Sequence, residues 1–342
     1  MSSGNPHELS FPFPALPEPG ERLPIVPGID WVRLPLPFAL DHVNCWYLSD
    51  AKQTCVIDSG LNTEVIRTCW DTVFAAVKRP DTLLVTHFHP DHSGLAGWFA
   101  ESGCSVVSNA VEWGTVLRLH AIDDTAYGQL YADWYQRHGI ASRYIEAVLA
   151  KGNTFAMGVA SPPVLSGVLA DGDTLEMSGK IFRVITGRGH APDMLMLYCE
   201  NDSLLIAADQ VLPSISPNVS LMPHSEDDNP LLSFLDSLEQ LRTLPVDTLV
   251  LPSHGLPFRG LHERIDQLLA HHQQRLDDIV AALSYAQPAA KLFGMLFKRE
   301  LDDQQMSFAL GETLAHLRFL EQQGRVQQSE HDSIVHFQTT AN

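Results

Sequence analysis

The sequence is short of cationic side chains and of cysteine. Lys and Arg total 22 against 41 Asp and Glu, a formal charge of −19 over 342 residues. Such a surface repels phosphate backbones, so a nucleic-acid partner is disfavoured. The five cysteines form no CxxC pair. Their odd number and apolar neighbours predict reduced, buried thiols rather than a disulfide framework or a thiolate zinc site. Long hydrophobic runs are missing too. The first twenty residues hold no Lys or Arg and no apolar core, so no signal-peptide pattern is visible. The uncharged stretch Phe155–Ala170 is too short for a bilayer and contains Pro162 and Pro163. The expectation is a cytoplasmic protein without a membrane partner. No internal repeat is visible. Apolar residues at 45% and charged residues at 18% exclude wholesale disorder.

Proline and histidine are plentiful. Nine of the 22 prolines precede residue 40, which predicts an extended N-terminal arm over residues 1–30, because proline cannot donate to a strand ladder. From Trp31 to Ser59 the pattern reads as short strands. Val65, Ile66, Cys69, Trp70, Val73, Phe74 and Val77 then define one apolar face of a helix. Asp81–Thr86 reads as a buried strand, as do Ser105–Ser108, Ile181–Thr186, Met194–Cys199, Ser203–Ala207 and Thr248–Leu251. Residues 109–155 read as a helical insert. Asn229 and Pro230 signal a helix start. A long helix is expected over Leu261–Tyr285, a shorter one before Glu300–Gln305, another over Ser307–Gln323 ended by Gly324, and a hairpin in the tail. Residues 261–342 thus form a winged-helix-like C-terminal domain following a main domain over 31–260. Residues 286–342 carry five basic and seven acidic side chains, so this part reads as a packing or oligomer-contact module rather than a nucleic-acid reader, and a homodimer is one outcome.

Sixteen histidines need an explanation. His87, His89, Asp91 and His92 fall within six residues, in Thr86-His87-Phe88-His89-Pro90-Asp91-His92 at the end of a strand. Alternation along the strand points His87 and His89 the same way, and Pro90 turns the chain so that Asp91 and His92 face that space from a helix start. Imidazole and carboxylate together suit zinc, and also iron or manganese. His190, Asp209 and His254 also stand where apolar strands run into loops. Each alone reads as an ordinary loop residue; beside the dense cluster they supply the missing ligands. The other histidines, among them His7, His42, His120, His138, His271, His272 and His316, read as surface or packing residues.

This set resembles the metallo-β-lactamase superfamily, whose ligand motifs it matches in order. Val56-Ile57-Asp58-Ser59-Gly60 is similar to the family's first motif. The resemblance covers roughly residues 30–260. It implies an α/β, four-layer αββα sandwich with metals at one edge of two mixed sheets. It further implies that His87, His89 and His190 hold one metal, that Asp91, His92 and His254 hold a second, and that Asp209 bridges them. Asp58 would orient ligands by hydrogen bond, or alternatively cap a turn. Seven ligands exceed the four positions of one zinc, which supports two divalent ions, zinc in the first instance. The implied chemistry is attack of a metal-bridged hydroxide on a carbonyl or phosphoryl centre, with Asp91 as the catalytic carboxylate.

Departures narrow the activity. True β-lactamases of the superfamily have cysteine or serine where Asp209 stands. The glyoxalase II-like branch shares all seven ligands, but its C-terminal basic cluster is absent. The preferred reading is a dinuclear hydrolase of an ester, thioester or lactone, acting on a small molecule. The alternatives are a phosphodiesterase or ribonuclease, a sulfur dioxygenase, or a binding protein that retains metals. Tyr131, Trp134 and Tyr135 in the insert read either as a lid over an apolar substrate or as residues that pack the insert. Arg188 reads as a contact for an anionic group or as half of a salt bridge, and His224 as a residue of the site mouth or an ordinary surface histidine.

Overall fold

The computed structural model describes residues 8–225, 228–297 and 301–340. Four strands open the chain: β1 (Arg22–Val26), β2 (Ile29–Pro35), β3 (His42–Ser49) and β4 (Thr54–Ile57). Then come α1 (Glu64–Ala76), β5 (Thr82–Val85), α2 (Pro90–Ser93), α3 (Ala96–Glu101), β6 (Ser105–Ser108) and α4 (Ala110–His120). Helices α5 (Asp124–Arg137), α6 (Ser142–Lys151) and α7 (Thr154–Gly158) follow, then β7 (Gly167–Val168), β8 (Thr174–Met177), β9 (Lys180–Gly187), β10 (Met194–Cys199) and β11 (Leu204–Ala208). The remainder is α8 (Pro230–Leu241), β12 (Leu249–Pro252), α9 (Leu261–Ala282), a 3-10 turn over Ala289–Leu292, α10 (Phe293–Leu296), α11 (Asp303–Gln322), β13 (Val326–His331) and β14 (Ile334–Thr339).

The chain divides into two compact units. The first comprises the described residues up to Ala121 together with Phe155–Pro217 and Leu238–Ile265. It holds a seven-stranded sheet in the order β1 to β7 and a five-stranded sheet in the order β12-β11-β10-β9-β8. Both are mixed: β4, β5, β6 and β7 run parallel beside an antiparallel β1–β4 meander, and β12 joins an otherwise antiparallel sheet in parallel. Trp31, Trp46, Ile57 and Leu84 from one sheet pack against Phe182, Val184, Leu195, Leu197, Ile206 and Leu251 from the other. This is the face-to-face sandwich expected of strands whose alternate residues are apolar. The outer face of the first sheet is covered by α1, which turns Ile66, Cys69, Trp70 and Val73 inward and is capped by the Thr63 side chain. All five cysteines are free and buried.

In this unit three details depart from the pattern reading. The N-terminal arm is not wholly an arm, since Arg22–Val26 is an edge strand of the large sheet. Pro24 is tolerated there because an edge strand has no second neighbour, and the register shifts between Pro24 and Val26. The short β7 and the polar β8 carry too little apolar alternation to be read from sequence. Val65 is exposed although the pattern places it on the apolar face of α1, because it is one residue off the stripe led by Ile66.

The second unit assembles Ile122–Thr154, Asn218–Ser237 and the described residues from Asp266 onward. The insert therefore divides, with α4 in the first unit and α5 and α6 in the second. Asn229 caps α8 as expected, accepting from the Leu232 amide at 3.1 Å. The long helix ends at Ala282 rather than Tyr285, and the last helix begins at Asp303, earlier than Ser307. The shorter helix before it is a 3-10 turn running into α10; Glu300, its expected boundary, lies outside the described residues, as does His7. The tail is the antiparallel hairpin β13–β14. Leu276, Ile279, Leu310, Leu314, Leu317 and Phe337 are buried in this unit. No described helix is long and apolar enough to cross a membrane.

Candidate metal centre

The chemistry-bearing residues gather in the first unit at the carboxyl ends of strands, where open α/β sheets leave their side chains and backbone turns free. His87–His92 follow β5, His190 follows β9, Asp209 follows β11 and His254 follows β12. In the short helix α2, Pro90 occupies the first turn and His92 is fully buried. The seven side chains that the sequence singles out as ligands converge. His87, His89 and His190 bring one ligand atom each to within 4.8 Å of one another, as do His87, His92 and Asp209, and Asp91, His92 and His254.

Asp209 faces both sides of this cluster. Its Oδ2 lies 3.4 Å from His190 Nε2 and 3.3 Å from His254 Nε2, while its Oδ1 lies 3.6 Å from His92 Nε2. Asp91 Oδ2 is 3.5 Å from both His92 Nε2 and His254 Nε2. His87 Nε2 is 3.1 Å from His89 Nδ1.

The opposite ring edges are held by the protein, which fixes which nitrogen is available. His254 Nδ1 donates to the His42 carbonyl at 2.6 Å. His92 Nδ1 donates to Asp58 Oδ2 at 2.8 Å. Asp58 also accepts from the Thr86 amide and hydroxyl, each at 2.8 Å. With its proton committed to Asp58, the Thr86 hydroxyl accepts from His87 Nδ1 at 3.0 Å. Asp58 sits at φ +63°, a left-handed conformation that aspartate tolerates better than most residues. Its carboxylate thus ties the His92 ring to Thr86, just past the end of β5.

The electrostatics are those of a site built for cations. Burial, then the neighbouring imidazoles, hold His87 well below the usual histidine range and His89 down to about 3. Burial would also lower His92 and His254, but the carboxylates around them outweigh it and raise both. Burial opposes ionisation of Asp91 and Asp209, yet the imidazoles hold both below the carboxylate range. Nε2 of His92 and Oδ1 of Asp209 are buried without a hydrogen-bond partner among the described residues. Unpartnered buried polar atoms are costly, and a divalent cation is the partner that this imidazole and carboxylate set suits.

The profile of the Metallo-beta-lactamase superfamily matches residues 39–254. The chain belongs to this superfamily. A second profile, the Metallo-beta-lactamase-like C-terminal domain, matches residues 276–340. The solved structure of a Beta-lactamase domain protein from Burkholderia ambifaria is 37% identical, with a TM-score of 0.89 over 98% of this chain and 99% of that one. A metallo-beta-lactamase family protein from Thermus thermophilus is 30% identical, with a TM-score of 0.79 over 92% and 99% of the two chains. The Bacillus subtilis (strain 168) protein named "Probable metallo-hydrolase YqjP" is 24% identical over 334 residues, covering 90% of this chain and 97% of its own.

Within this superfamily member, the proposed substrate-contact residues fare differently from the ligands. Arg188 pairs with Asp193 at 3.1 Å, the salt-bridge reading. Tyr131, Trp134 and Tyr135 are buried in the second unit. Tyr131 stacks on Tyr127 and Trp134 on Tyr135, with ring centroids 4.9 and 5.7 Å apart. His224 also belongs to the second unit, in the loop before α8.

Two contributors escape sequence reasoning. His42, which reads there as a surface or packing histidine, backs the site: besides its carbonyl bond to His254, its Nε2 accepts from the Gly255 amide at 2.8 Å. Glu112, fully buried in the first turn of α4, accepts from the Phe88 amide at 3.0 Å and the Asp193 amide at 2.5 Å. Burial pushes its carboxyl up to about 7, against the lowering effect of those two bonds. The available signal was an acidic residue within the apolar run Ala110–Val116, three positions after the cap Asn109.

Proposed function

We propose that this metallo-hydrolase of the metallo-β-lactamase superfamily is a dinuclear enzyme cleaving a small ester, thioester or lactone. The observation that carries the reading is the Asp209 carboxylate, whose two oxygens face His92 on one side and His190 and His254 on the other. In this reading His87, His89 and His190 hold one ion, Asp91, His92 and His254 hold the other, and Asp209 serves both. Zinc suits the donors best, with iron or manganese as substitutes. Two divalent ions there supply Lewis acidity, making a water nucleophilic near neutral pH and stabilising charge on the substrate oxygen. Asp58 and the His42 carbonyl keep His92 and His254 presenting Nε2. Asp91, whose side chain is 21% exposed, is the carboxylate that orients the nucleophile or takes part in proton transfer to the leaving group. The acidic chain favours a small substrate over a polyanion.

The glyoxalase II-like arrangement of ligands belongs to the same reading, without that branch's basic cluster. So does a winged-helix-like role for α9, α11 and the β13–β14 hairpin, as a packing or homodimer contact. Metal analysis after reloading, paired with turnover of thioesters, lactones, phosphodiesters and short RNA, tests the assignment. Two ions per chain, with hydrolysis of a carbonyl substrate that Asp209→Ala abolishes, is the expected result. One ion per chain, or turnover confined to phosphodiesters, overturns it.

A further inference from the structure

We propose that Glu112 is a positioning residue whose buried carboxylate locks the His87–His89 loop to the His190 loop, keeping three imidazoles in register for one ion. The inference rests on the metal-centre reading above. The two loops arise from different sheets: the first follows β5 of the seven-stranded sheet, the second follows β9 of the five-stranded sheet. Phe88, between His87 and His89, gives its amide to Glu112 Oε2, and Asp193, three residues after His190, gives its amide to Oε1. Two amides converging on one buried side chain require two acceptors, and a carboxylate alone offers both without adding a donor.

The rest of the first turn of α4 reinforces this bracket. Asn109 caps the helix through Oδ1, bonded to the Val111 amide at 2.7 Å. Its Nδ2 donates to Asp193 Oδ2 at 2.9 Å. Asp193 is thus gripped by its amide through Glu112 and by its carboxylate through Asn109. One further bond, from the Leu195 amide to the Thr86 carbonyl at 2.9 Å, joins the same two segments. Glu112 touches no reacting atom. It acts through His87, His89 and His190, whose rings stand 4.6 to 5.1 Å apart by centroid.

The test uses the full chain with Glu112→Gln, an isostere that sets an amide NH2 against one of the two backbone donors, and Asn109→Ser, which keeps a capping oxygen but removes the donor to Asp193. Metal affinity is measured by chelator competition, the geometry of the site by its Co2+ spectrum, and the metal-free fold by thermal melting. Outer partners of metal ligands typically contribute 10- to 100-fold in affinity. One ion should weaken by about that factor in Glu112→Gln, with a changed Co2+ spectrum and a lower kcat at similar KM, and in the same direction in Asn109→Ser. Unchanged affinity and spectrum in the folded variants, whatever the melting temperature, would reduce Glu112 to a structural strut and overturn the proposal. If Glu112→Gln does not fold, Asn109→Ser decides by the same readouts. Failure of the parent chain itself to bind metal would overturn the metal-centre reading instead, so the two failures are distinguishable.

Discussion

Replacing Asp58 with Asn changes one atom and should disable His92 as a ligand. Oδ2 of Asp58 receives two donors at 2.8 Å, the Thr86 hydroxyl and His92 Nδ1, while Oδ1 takes the Thr86 amide at 2.8 Å. An asparagine that keeps its oxygen toward the amide places an NH2 against the other two donors. The imidazole then escapes the clash by giving up its Nδ1 proton and accepting from that NH2, which commits its remaining proton to Nε2, facing Asp91 and Asp209, and denies an ion the lone pair it would need there. Bonds to a charged acceptor contribute roughly 1.5–3 kcal/mol each, and the Thr86 hydroxyl recovers part of its share by rotating. The metal-free fold should therefore lose about 2–3 kcal/mol. Affinity for the ion held by His92 should fall about 10- to 100-fold, roughly 1.4–2.7 kcal/mol. Urea denaturation of the metal-free protein and chelator competition on the reloaded protein measure the two effects separately. An Asp58→Asn protein that binds both ions as tightly as the parent would refute the tautomer argument, even if it were less stable.

Three other outcomes are expected. Gly94→Ala should destabilise the fold by about 3 kcal/mol or more, because a Cβ there would stand 2.3 Å from the Pro90 carbonyl oxygen, 2.5 Å from that of Gly60 and 2.7 Å from that of Gly158; denaturant midpoints check it, and a neutral variant would show that this turn yields. Chelation should abolish hydrolysis and lower the melting temperature, since ions bound only by the folded state stabilise it by mass action; a melting temperature indifferent to chelator would count against a built metal centre. In the second unit, burial pushes His138 and His316 down to about 4 and His272 to about 2. These folded values lie below the ordinary 6.5, so the stability they support is present above pH 6.5 and lost as pH falls from there toward the folded values. Each contributes at most about 2 kcal/mol of loss by pH 5. His138→Phe, which keeps an aromatic ring against Phe337, should flatten that slope between pH 7.5 and 5, and an unaltered slope would show that His138 is not neutral in the fold.

The cluster was legible because its residues follow local rules. Apolar runs such as Thr82–Val85 and Leu204–Ala208 announce buried strands, and a histidine or aspartate just past such a run sits at a sheet edge, wherever that sheet packs. Strand spans such as Ser105–Ser108 and Met194–Cys199 agree with the pattern to the residue. By contrast, Arg22–Val26 was hidden as a strand by its proline, whose cost disappears only at a sheet edge, and edge position is a property of the assembled sheet. Trp134 and Tyr135 were ambiguous because aromatic rings line pockets and fill cores with equal chemistry, and only the packing separates the two.

Residue identity and spacing alone carry which imidazoles and carboxylates stand at strand ends and the order in which the strands present them. Which nitrogen an imidazole presents, and what holds it there, follows only from the assembled fold. The His42 carbonyl behind His254 is a backbone atom, with no signature in residue identity. Glu112 meets Phe88 and Asp193 across 24 and 81 residues of chain. Such partners are set by how two sheets pack, because a hydrogen bond depends on distances that are fixed only after the core has closed.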